Sequence, residues 1–585
     1  MVNNWSPITD EIVSRWTKDI DPENPLPEYP RPQLKREEWL NLNGMWDYAI
    51  LPRETQEIKE YDGKILVPYP IESALSGIKK KLLPDQRLWY HRKFTIPEKW
   101  INKRIFIHFG AIDWEANIWI NNNEAGYHRG GYTPFKIDIT DFLNQKDQNE
   151  IIIAVWDPSD KDHQSHGKQS LKPKFITYTP SSGIWQTVWL EPTPNSYINS
   201  IKMIPDIDKN NLILNVEVHE PGSHDKIHTT IFEENKEILS IEGNFEQDLL
   251  LNLPSPKLWS PENPFLYDIT ISLIRNNEKI DKIKSYFGMR KISLGKSEND
   301  IRQIELNNKP IFQYGTLDQG YWPDGLYTAP TDEALKYDIE ITKELGFNMI
   351  RKHVKVEPAR WYYHCDKLGI LVWQDMPNGE KWTIWHHLKM ILLGKKYKGK
   401  RSTQAKIDFY EELESLIKNL YNSPSIVTWV PFNEGWGQFD TIDVVKKIRK
   451  LDTTRLLDNA SGWFDRGVGD IRDIHHYPEP KMPEKNLNRA AVVGEFGGLG
   501  MSIKEHMWNF KRKFAYKSFQ NKEEMFKSYK DLIINLKDLI KKGLSAAIYT
   551  QTTDVEQEIN GLLTYDRDII KMDKEKVREL NLSLF

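Results

Sequence analysis

The sequence predicts a multidomain protein in which a jelly-roll β-sandwich and an immunoglobulin-like β-sandwich precede a C-terminal (β/α)8 TIM barrel. The chain has 585 residues, too many for one ordinary domain of roughly 100–200 residues. Short alternating or β-branched runs, separated by turn residues, continue to about residue 293. Beyond about residue 300, apolar strand-length runs alternate with amphipathic helical stretches, a pattern typical of a parallel barrel.

The first predicted domain comprises residues 1–193. Its first 35 residues are proline-rich and read as an extended lead-in on a domain surface. The following segment contains strand candidates without a long helical period, which favours a jelly roll. These strands are RKFTI (92–96), RIFIHFG (104–110), ANIWINN (116–122), FKIDI (135–139), EIIIAVW (150–156) and TVWLEP (187–192).

The second predicted domain comprises residues 194–296. About 100 residues with roughly seven short strands fit an immunoglobulin-like sandwich, although the chain's one cysteine, Cys365, excludes the cysteine pair of antibody domains. The clearest strand candidates are INSIKMIPD (198–206), LILNVEVHE (212–220), KIHTTIFEE (226–234), DLLLNL (248–253), LYDITISLI (266–274) and KIKSYFG (282–288).

The third predicted domain comprises residues 297–585. A helix is expected to begin at the N-cap Thr331 and to end at Gly346. An open doubly wound sheet is the alternative, but the chain has neither glycine-rich nucleotide-binding motif of such folds. The eight barrel-strand candidates are IFQYG (311–315), FNMIRKH (347–353), GILVWQD (369–375), IVTWVPFN (426–433), RLLDNA (455–460), RDIHHY (472–477), AAVVGEF (490–496) and LSAAIYTQ (544–551).

Composition argues against several classes of partner. Lys and Arg total 80 and Asp and Glu total 84, which leaves a net charge of −4 and no basic footprint for nucleic acid. The longest apolar runs are strand-sized, so no membrane association is expected. No signal peptide is visible, which predicts a cytoplasmic protein, or a periplasmic or secreted one if a leader has been removed. A homo-oligomer is possible.

Two glutamates carry the functional hypothesis. Glu434 and Glu495 each follow an apolar run and precede a glycine-rich turn, and a carboxylate there carries a desolvation cost unless it is paired or used. Because active sites of TIM barrels lie at the C-terminal ends of the strands, the two carboxylates are expected to face each other. Glycoside hydrolysis uses such a pair, although a rim salt bridge would also explain either glutamate alone.

Other side chains at these strand ends are candidates for binding a carbohydrate. Asp318 could hold hydroxyls or form a turn, and each tryptophan could stack on sugar or belong to the core. Trp382 and Trp385, in an insertion after the third strand, could form one side of the pocket. The substrate-binding candidates are Asp318, Arg351, His353, Trp373, Asn433, Trp463, His475, Tyr477 and Gln551.

A metal site formed by His353, Asp375, Glu434 and His475 is an alternative interpretation of these strand ends. These residues show no known ligand spacing, so neither a metal nor another cofactor is predicted. Cys365 lies within a predicted helix and reads as an inert core residue.

Several motifs resemble glycoside hydrolase family 2, the β-galactosidase and β-glucuronidase group, over nearly the whole chain. The sandwich motifs are LNGMWDYAI, LWYHRKFTIP, GAIDWEANIWINNNEAGYHRGGYTPFKIDIT, KLWSPENPFLYDI and YFGMRKISL. The barrel motifs are GFNMIRKH, CDKLGILVWQD, VPFNEGWG, HHYP and VGEFGG.

The resemblance implies a retaining mechanism with Glu434 as acid/base and Glu495 as nucleophile. It also implies that Asn433 contacts the sugar 2-hydroxyl and that Arg351 and Tyr477 flank the nucleophile. The charge of Arg351 would favour ionised Glu495, whereas Glu434 must hold a proton and is expected to have a raised pKa.

Three positions depart from the family pattern. His353 follows Arg351 by two residues, where the β-galactosidases place a histidine three residues later. Asn560 is followed by Gly561 and Leu562, so the Asn-x-Lys of β-glucuronidases is missing, which argues against glucuronic acid. Gln551 replaces an aromatic floor and predicts a more polar pocket.

The sequence therefore predicts a retaining exo-β-glycosidase that removes terminal β-linked sugars, with a β-galactoside as the first expectation. Specificity of the β-glucuronidase, galacturonidase, β-mannosidase or arabinosidase type remains an alternative. A non-catalytic carbohydrate-binding protein with a degenerate barrel is another, and an inverting glycosidase a third.

Overall fold

The computed structural model describes residues 5–380, 392, 399–484 and 488–585. Trp382 and Trp385, which the sequence suggested as pocket walls, lie outside the described residues. Within the described part of the chain, no helix is both long enough and apolar enough to cross a membrane.

The N-terminal sandwich consists of two antiparallel sheets whose inner faces share one core. One sheet has the order β1-β12-β5-β9 and the other β3-β2-β4-β10-β7-β8, with β6 and β11 as a separate pair. Alternate side chains such as Ile105, Ile107, Ile151 and Ile153 are buried in the core, which explains the alternating sequence pattern. The strands are β1 (Leu40–Asn41), β2 (Gly44–Pro52), β3 (Gly63–Val67), β4 (Gln86–Phe94), β5 (Arg104–Phe109), β6 (Ile112–Asp113), β7 (Glu115–Ile120), β8 (Asn123–Arg129), β9 (Phe135–Asp138), β10 (Asn149–Trp156), β11 (Gly183–Ile184) and β12 (Val188–Thr193); short 3-10 helices occupy Arg15–Asp19, Pro32–Leu34, Glu98–Trp100 and Thr140–Phe142.

The second sandwich packs a three-stranded sheet, β13-β14-β17, against a four-stranded sheet, β16-β15-β18-β19. The strand β16 did not emerge from the sequence because most of its residues are exposed and apolar alternation is weak. The strands are β13 (Tyr197–Asp206), β14 (Asn211–His219), β15 (Lys226–Glu233), β16 (Lys236–Asn244), β17 (Leu249–Asn252), β18 (Tyr267–Arg275) and β19 (Glu278–Phe287).

A small antiparallel sheet, β20 (Ile292–Lys296), β21 (Arg302–Leu306) and β22 (Lys309–Pro310), connects the second sandwich to the barrel. Ile292, Ile304 and Leu306 pack with the apolar residues inside the barrel. The sheet includes residues on both sides of the expected boundary at 296/297. The limits 1–193, 194–296 and 297–585 remain predictions.

The C-terminal domain is a nearly closed barrel of eight parallel strands, as predicted. Neighbouring strands pair in the order β27-β26-β25-β24-β23-β32-β29-β28. The first and last of these are joined by a hydrogen bond of 2.8 Å from the Asp470 amide to the Leu457 carbonyl. The strands are β23 (Gln313–Asp318), β24 (Met349–Lys352), β25 (Leu371–Asp375), β26 (Ile426–Val430), β27 (Leu456–Leu457), β28 (Ile471–His475), β29 (Ala490–Gly497) and β32 (Leu544–Thr550), with β30 (Leu499–Met501) and β31 (Lys517–Phe519) as a separate pair.

The helices of the barrel domain follow ordinary capping rules. The Thr331 hydroxyl accepts a hydrogen bond of 3.1 Å from the Ala334 amide and begins the first helix, as predicted. Gly346 follows its end with a φ of +85°, which glycine adopts without strain. The helices among the described residues are α1 (Asp332–Glu344), α2 (Ala359–Leu368), α3 (Thr403–Leu420), α4 (Thr441–Leu451), α5 (Lys522–Lys541) and α6 (Lys574–Leu582). Cys365 in α2 is fully buried in the core.

A long connection of the first sandwich, residues 157–182, reaches the barrel. The amides of His166 and Gly167 donate to the Asn378 carbonyl, at 2.8 and 2.9 Å. The Tyr178 hydroxyl donates to Glu558, beyond the last barrel strand. The mouth of the barrel is therefore partly built by the N-terminal domain.

Candidate active site

Polar side chains from several barrel strands meet at the C-terminal end of the barrel. The fold brings together seven sequence-predicted residues there: Arg351, His353, Asn433, Glu434, His475, Tyr477 and Glu495. They follow or end strands β24, β26, β28 and β29, which is where TIM barrels assemble their active sites.

Glu495 is held by donors on both carboxylate oxygens. The Tyr477 hydroxyl donates to Oε2 at 2.5 Å, and the Arg351 guanidinium lies 3.4 Å from Oε1. The preceding residue must be small, because a Cβ on Gly494 would lie 2.0 Å from a carboxylate oxygen of Asp473. The glycine in VGEFGG therefore permits the close packing that positions Glu495.

Glu434 occupies an unusual backbone conformation. Its φ is +50°, in the left-handed region that non-glycine residues seldom adopt. Its amide donates to the Ser461 carbonyl at 3.0 Å, which fixes this turn. Such conformations cluster at functional sites because the surrounding structure must stabilise them.

The two candidate catalytic carboxylates are close neighbours. Glu434, Glu495 and His475 each place one side-chain oxygen or nitrogen within 4.8 Å of the others. Retaining glycosidases separate their carboxyl groups by about 5–5.5 Å and inverting ones by about 6.5–9.5 Å. The nearest atoms of the two carboxylates are thus close enough for both groups to reach one glycosidic bond.

Arg351 is the fully buried cation beneath these carboxylates. It donates two hydrogen bonds of 3.0 Å to Asp375, one to each oxygen. It also donates to the side-chain carbonyl of Asn433 at 2.9 Å. The bidentate pair fixes the guanidinium plane, so Arg351 orients Asn433 as well as Glu495.

His475 bridges the two candidate catalytic carboxylates. Its Nδ1 lies 2.8 Å from Glu434 and 3.5 Å from Glu495. Its Nε2 lies 2.8 Å from the hydroxyl of Ser461, which itself donates to Asp473. Both ring nitrogens therefore face acceptors, an environment that suits a doubly protonated imidazolium.

The pKa values of Glu434 and His475 move in opposite directions. Burial raises the pKa of Glu434, but its hydrogen bond to His475 and the nearby positive charges leave that pKa below the usual range. Burial lowers the pKa of His475, but Glu495, Glu434 and Asp473 raise it overall. The expected raised pKa of Glu434 is therefore wrong for the unliganded protein, because His475 stabilises the ionised form.

Replacing His475 with asparagine is expected to move the alkaline limb of the kcat/KM profile to lower pH. The folded pKa of His475 is raised above 6.5, so the proton of the Glu434–His475 pair is present below that pKa and lost as pH rises through it. In His475→Asn, Glu434 would have to retain the proton alone. Arg351, 3.5 Å from Nε2, is the cation that opposes protonation and remains in both proteins.

The adjacent histidine provides a matched control for this pH profile. His476 contacts the Glu479 carbonyl through Nδ1 at 2.6 Å and does not share the contacts of His475. His476→Asn is expected to keep the parent profile. An unchanged alkaline limb in His475→Asn would show that the histidine does not hold the catalytic proton.

His353 is buried against the same Asp375. Its Nδ1 lies 2.9 Å from the carboxylate. Burial and the positive charges of Lys168 and Arg351 hold the pKa of His353 well below its usual value, so its ring is neutral. Nδ1 then donates to Asp375, and His353 lines the site without adding charge.

Replacing Asp375 with asparagine is expected to lower the free energy of unfolding by about 3–5 kcal/mol, because breaking a buried ion pair leaves Arg351 incompletely compensated. Urea-induced unfolding should show the change. Asp538→Asn is the control, since Asp538 pairs with Lys541 on the surface at 3.1 Å and such pairs contribute about 0–1 kcal/mol. Equal midpoints for both variants would contradict a stabilising role for Asp375.

The sequence did not indicate Tyr516 as a site residue. Its ring stacks on Tyr477 at a centroid distance of 3.6 Å and an angle of 1°. The Tyr477 hydroxyl also lies 2.8 Å from that of Thr550. Tyr516 follows an irregular stretch after β30, so no strand pattern could have placed it beside Glu495.

Two predicted sugar-binding residues have other roles. Both Asp318 oxygens are engaged, one by Lys352 at 2.6 Å and one by the Gly320 amide at 2.8 Å, which fits the turn-forming alternative. The prediction that Trp373 binds the sugar is wrong. Its side chain is fully buried and donates to Gln313 at 2.6 Å across the barrel interior, so it cannot stack on a sugar at the barrel mouth.

Trp463 lies at the rim of the barrel mouth, and Gln551 lies at its floor. The Trp463 side chain is 44 % exposed and its ring lies 6.4 Å from that of His475, so a sugar could reach it. Gln551 is fully buried and donates to the Asn560 side-chain carbonyl at 2.7 Å. Within the described residues, its Oε1 has no hydrogen-bond partner.

Of the four side chains of the alternative metal site, Glu434 and His475 belong to one cluster of possible ligand atoms, and His353 and Asp375 lie outside that cluster. Among the described residues, the group near the carboxylates that could offer ligand atoms to one ion consists of Glu434, His475 and Glu495. A protonated His475 between the two carboxylates would oppose a cation there. The absence of a metal requirement remains a prediction.

Family models match three consecutive parts of the chain. The sugar binding domain of glycosyl hydrolases family 2 matches residues 30–194, the model named for the family itself matches residues 196–290, and the family's TIM barrel domain matches residues 300–492. The chain belongs to glycosyl hydrolase family 2. The resemblance seen in the sequence is thereby confirmed.

Some curated relatives of this family 2 protein are named beta-glucuronidase, and others are named beta-galactosidase. A putative beta-glucuronidase from Formosa agariphila is 26% identical over 459 residues, covering 75% of this chain and 48% of that protein. A beta-galactosidase from Thermoanaerobacter pseudethanolicus is 25% identical over 383 residues, covering 63% and 47%. This chain spans about half the length of these two relatives.

Solved structures of β-glucuronidases share the fold of this family 2 protein. The enzyme from Ruminococcus gnavus in complex with D-glucuronic acid has a TM-score of 0.74 at 19% identity, covering 96% of this chain and 100% of that one. The enzyme from Dictyoglomus thermophilum has a TM-score of 0.73 at 18% identity, covering 95% and 98%. At these identities the likeness concerns the fold.

Proposed function

We propose that this protein is a retaining exo-β-glycosidase that hydrolyses terminal β-linked sugars from oligo- or polysaccharides. The observation that carries the proposal is the proximity of the Glu434 and Glu495 carboxylates, within 4.8 Å at their nearest ligand atoms. Double displacement requires two carboxyl groups at this kind of separation on either side of the glycosidic bond.

In the first step Glu495 attacks the anomeric carbon while Glu434 protonates the departing oxygen. Tyr477 and Arg351 hold Glu495 in its attacking position and stabilise its negative charge. The proton belongs to the Glu434–His475 pair. As negative charge leaves Glu495 to form the glycosyl bond, His475 loses one stabilising partner and can return its proton to Glu434.

In the second step Glu434 accepts a proton from water, which attacks the anomeric carbon and releases Glu495. Asn433 is placed to assist both steps. Because its side-chain carbonyl accepts from Arg351, its amide NH2 is the group that can donate to a sugar hydroxyl. Hydrogen bonds to the 2-hydroxyl strengthen in the transition state.

The proposal extends to the identity of the terminal sugar. A β-galactoside is the first expectation from the sequence, and relatives named beta-galactosidase support it. Relatives named beta-glucuronidase support an acidic sugar instead. Both kinds of substrate use the same two carboxylates, so the proposed reaction does not depend on this choice.

A panel of nitrophenyl β-glycosides tests the reaction. The expected result is release of nitrophenol from at least one sugar, with the β-anomer appearing first by proton nuclear magnetic resonance. Initial appearance of the α-anomer would replace the retaining mechanism with an inverting one. Sugar binding without any turnover would favour the carbohydrate-binding alternative.

A further inference from the structure

We propose that Lys168, a residue of the N-terminal sandwich, recognises a negatively charged group on the sugar bound in the barrel. The substrate class is then an acidic β-glycoside, with a hexuronic acid carboxylate as the best fit. This inference rests on the proposed glycosidase function and adds the charge of its substrate.

The backbone around Lys168 is fixed against the barrel mouth. The preceding residues His166 and Gly167 donate to the Asn378 carbonyl, after β25. A Cβ on Gly167 would lie 2.7 Å from the carbonyl oxygen of Val354, the residue after His353. The Lys168 carbonyl accepts from the Tyr178 amide at 2.9 Å. Lys168 therefore belongs to a well-anchored loop.

Lys168 differs from the other buried lysines of the described residues in lacking a carboxylate partner. Lys352, Lys355 and Lys571 each donate to an aspartate or glutamate at 2.6–2.8 Å. Lys168 is only 8 % exposed, yet in the described part of the chain no carboxylate lies within ion-pair distance of its ammonium. A buried unpaired charge is costly, and an anionic ligand would compensate for it.

The ammonium lies near the catalytic groups. Its charge contributes to the low pKa values of Glu434 and His353, which face the sugar site. Its Nζ lies 5.9 Å from the centre of the Tyr178 ring. The loop contacts with Asn378 and Val354 therefore bring the positive charge of Lys168 to the side of the barrel mouth where Glu434 and His353 lie.

The nearby carboxylate of Glu558 is already occupied. Tyr178 donates to its Oε2 and Asn560 donates to its Oε1 at 3.0 Å. The connection after the last barrel strand, residues 551–566, contains neither lysine nor arginine. Arg567 and Lys571, which follow this stretch, are paired with Asp338 and Asp554. The loop carrying Lys168 can therefore provide a positive charge without a carboxylate partner, which this connection lacks.

The test compares the parent with Lys168→Met and with the control Lys174→Met, which removes an exposed lysine of the same connection. Substrates are nitrophenyl β-glucuronide, β-galacturonide, β-galactoside and its 6-sulfate. The parent is expected to prefer an anionic sugar. Lys168→Met should lower the ratio of anionic to neutral kcat/KM by about 10²-fold, because a site built for a charged group loses its partner. Lys174→Met should retain the parent ratio.

Preference for the 6-sulfate over both uronides would identify a sulfated sugar as the anionic source. An unchanged ratio in Lys168→Met, including an equal loss on neutral and anionic sugars, would overturn the inference. If the parent hydrolyses no sugar, the proposed function fails, and calorimetry with D-glucuronate and D-galacturonate decides the role of Lys168. Equal affinity of parent and Lys168→Met for these anions would then refute it.

Discussion

Glu495→Gln is expected to abolish turnover, with kcat falling by about 10⁴-fold or more. A loss of that size corresponds to about 5.4 kcal/mol of transition-state stabilisation. Glutamine matches the size of the carboxylate and can accept from Tyr477, but its amide is too weak a nucleophile to form a glycosyl intermediate. Stopped and steady-state assays of nitrophenol release from the best aryl glycoside would measure the decrease in kcat.

A surface glutamate on the same segment serves as the control for Glu495. Glu505 is exposed, so Glu505→Gln should retain the parent kcat. Glu495→Gln should also retain sugar binding, because Asn433 and Lys168 are untouched. Turnover near the parent value would remove Glu495 from the nucleophile role.

A second test of Glu495 uses an external nucleophile. In Glu495→Gly the space of the carboxylate is open, and azide should attack the anomeric carbon directly with an activated aryl glycoside. The product expected from one displacement is the α-glycosyl azide. A β-glycosyl azide would contradict the assignment, since it requires two displacements or attack from the other face.

Glu434→Gln is expected to reduce kcat/KM by about 10²–10⁴-fold for substrates with poor leaving groups, the usual contribution of general acid–base catalysis. Dinitrophenyl glycosides need little protonation on departure, so their first step should be affected far less. The glycosyl intermediate should then accumulate, because no base activates water. A burst of dinitrophenol followed by slow turnover is the expected time course.

Azide distinguishes Glu434 from Glu495. In Glu434→Ala it should accelerate the second step and yield the β-glycosyl azide, because the intermediate on Glu495 forms normally. Glu414→Gln is a suitable control, since Glu414 forms surface ion pairs with Lys418 and Lys447 at 2.8 and 2.5 Å. An equal loss for good and poor leaving groups would refute the acid role of Glu434.

The architecture was predictable because its sequence patterns are local. Alternation in β7 reports one buried face, and the apolar runs of the barrel strands report burial on both faces. The strand β16 escaped this reasoning because it is mostly exposed. The sequence also located the two candidate catalytic glutamates, since polar residues that end apolar parallel strands meet at one edge.

Charge states were less predictable than positions. The sequence placed Glu434 correctly at the barrel mouth but suggested a raised pKa from burial alone. The contact with His475 reverses that shift, and adjacent histidines at 475 and 476 gave no indication of which one faces Glu434. Alternation along β28 decides this point only when the register is known.

The sequence by itself determined the fold class, the family motifs and the pair Glu434 and Glu495. Tertiary structure alone decided that Trp373 lies below the site, that His475 lies between the carboxylates, and that Tyr516 stacks on Tyr477. It alone brought the loop that carries Lys168 from the first domain against the third, through the contacts of His166 and Gly167 with the Asn378 carbonyl. Secondary structure follows from periodicity between near neighbours in the chain, whereas these contacts depend on how distant segments pack.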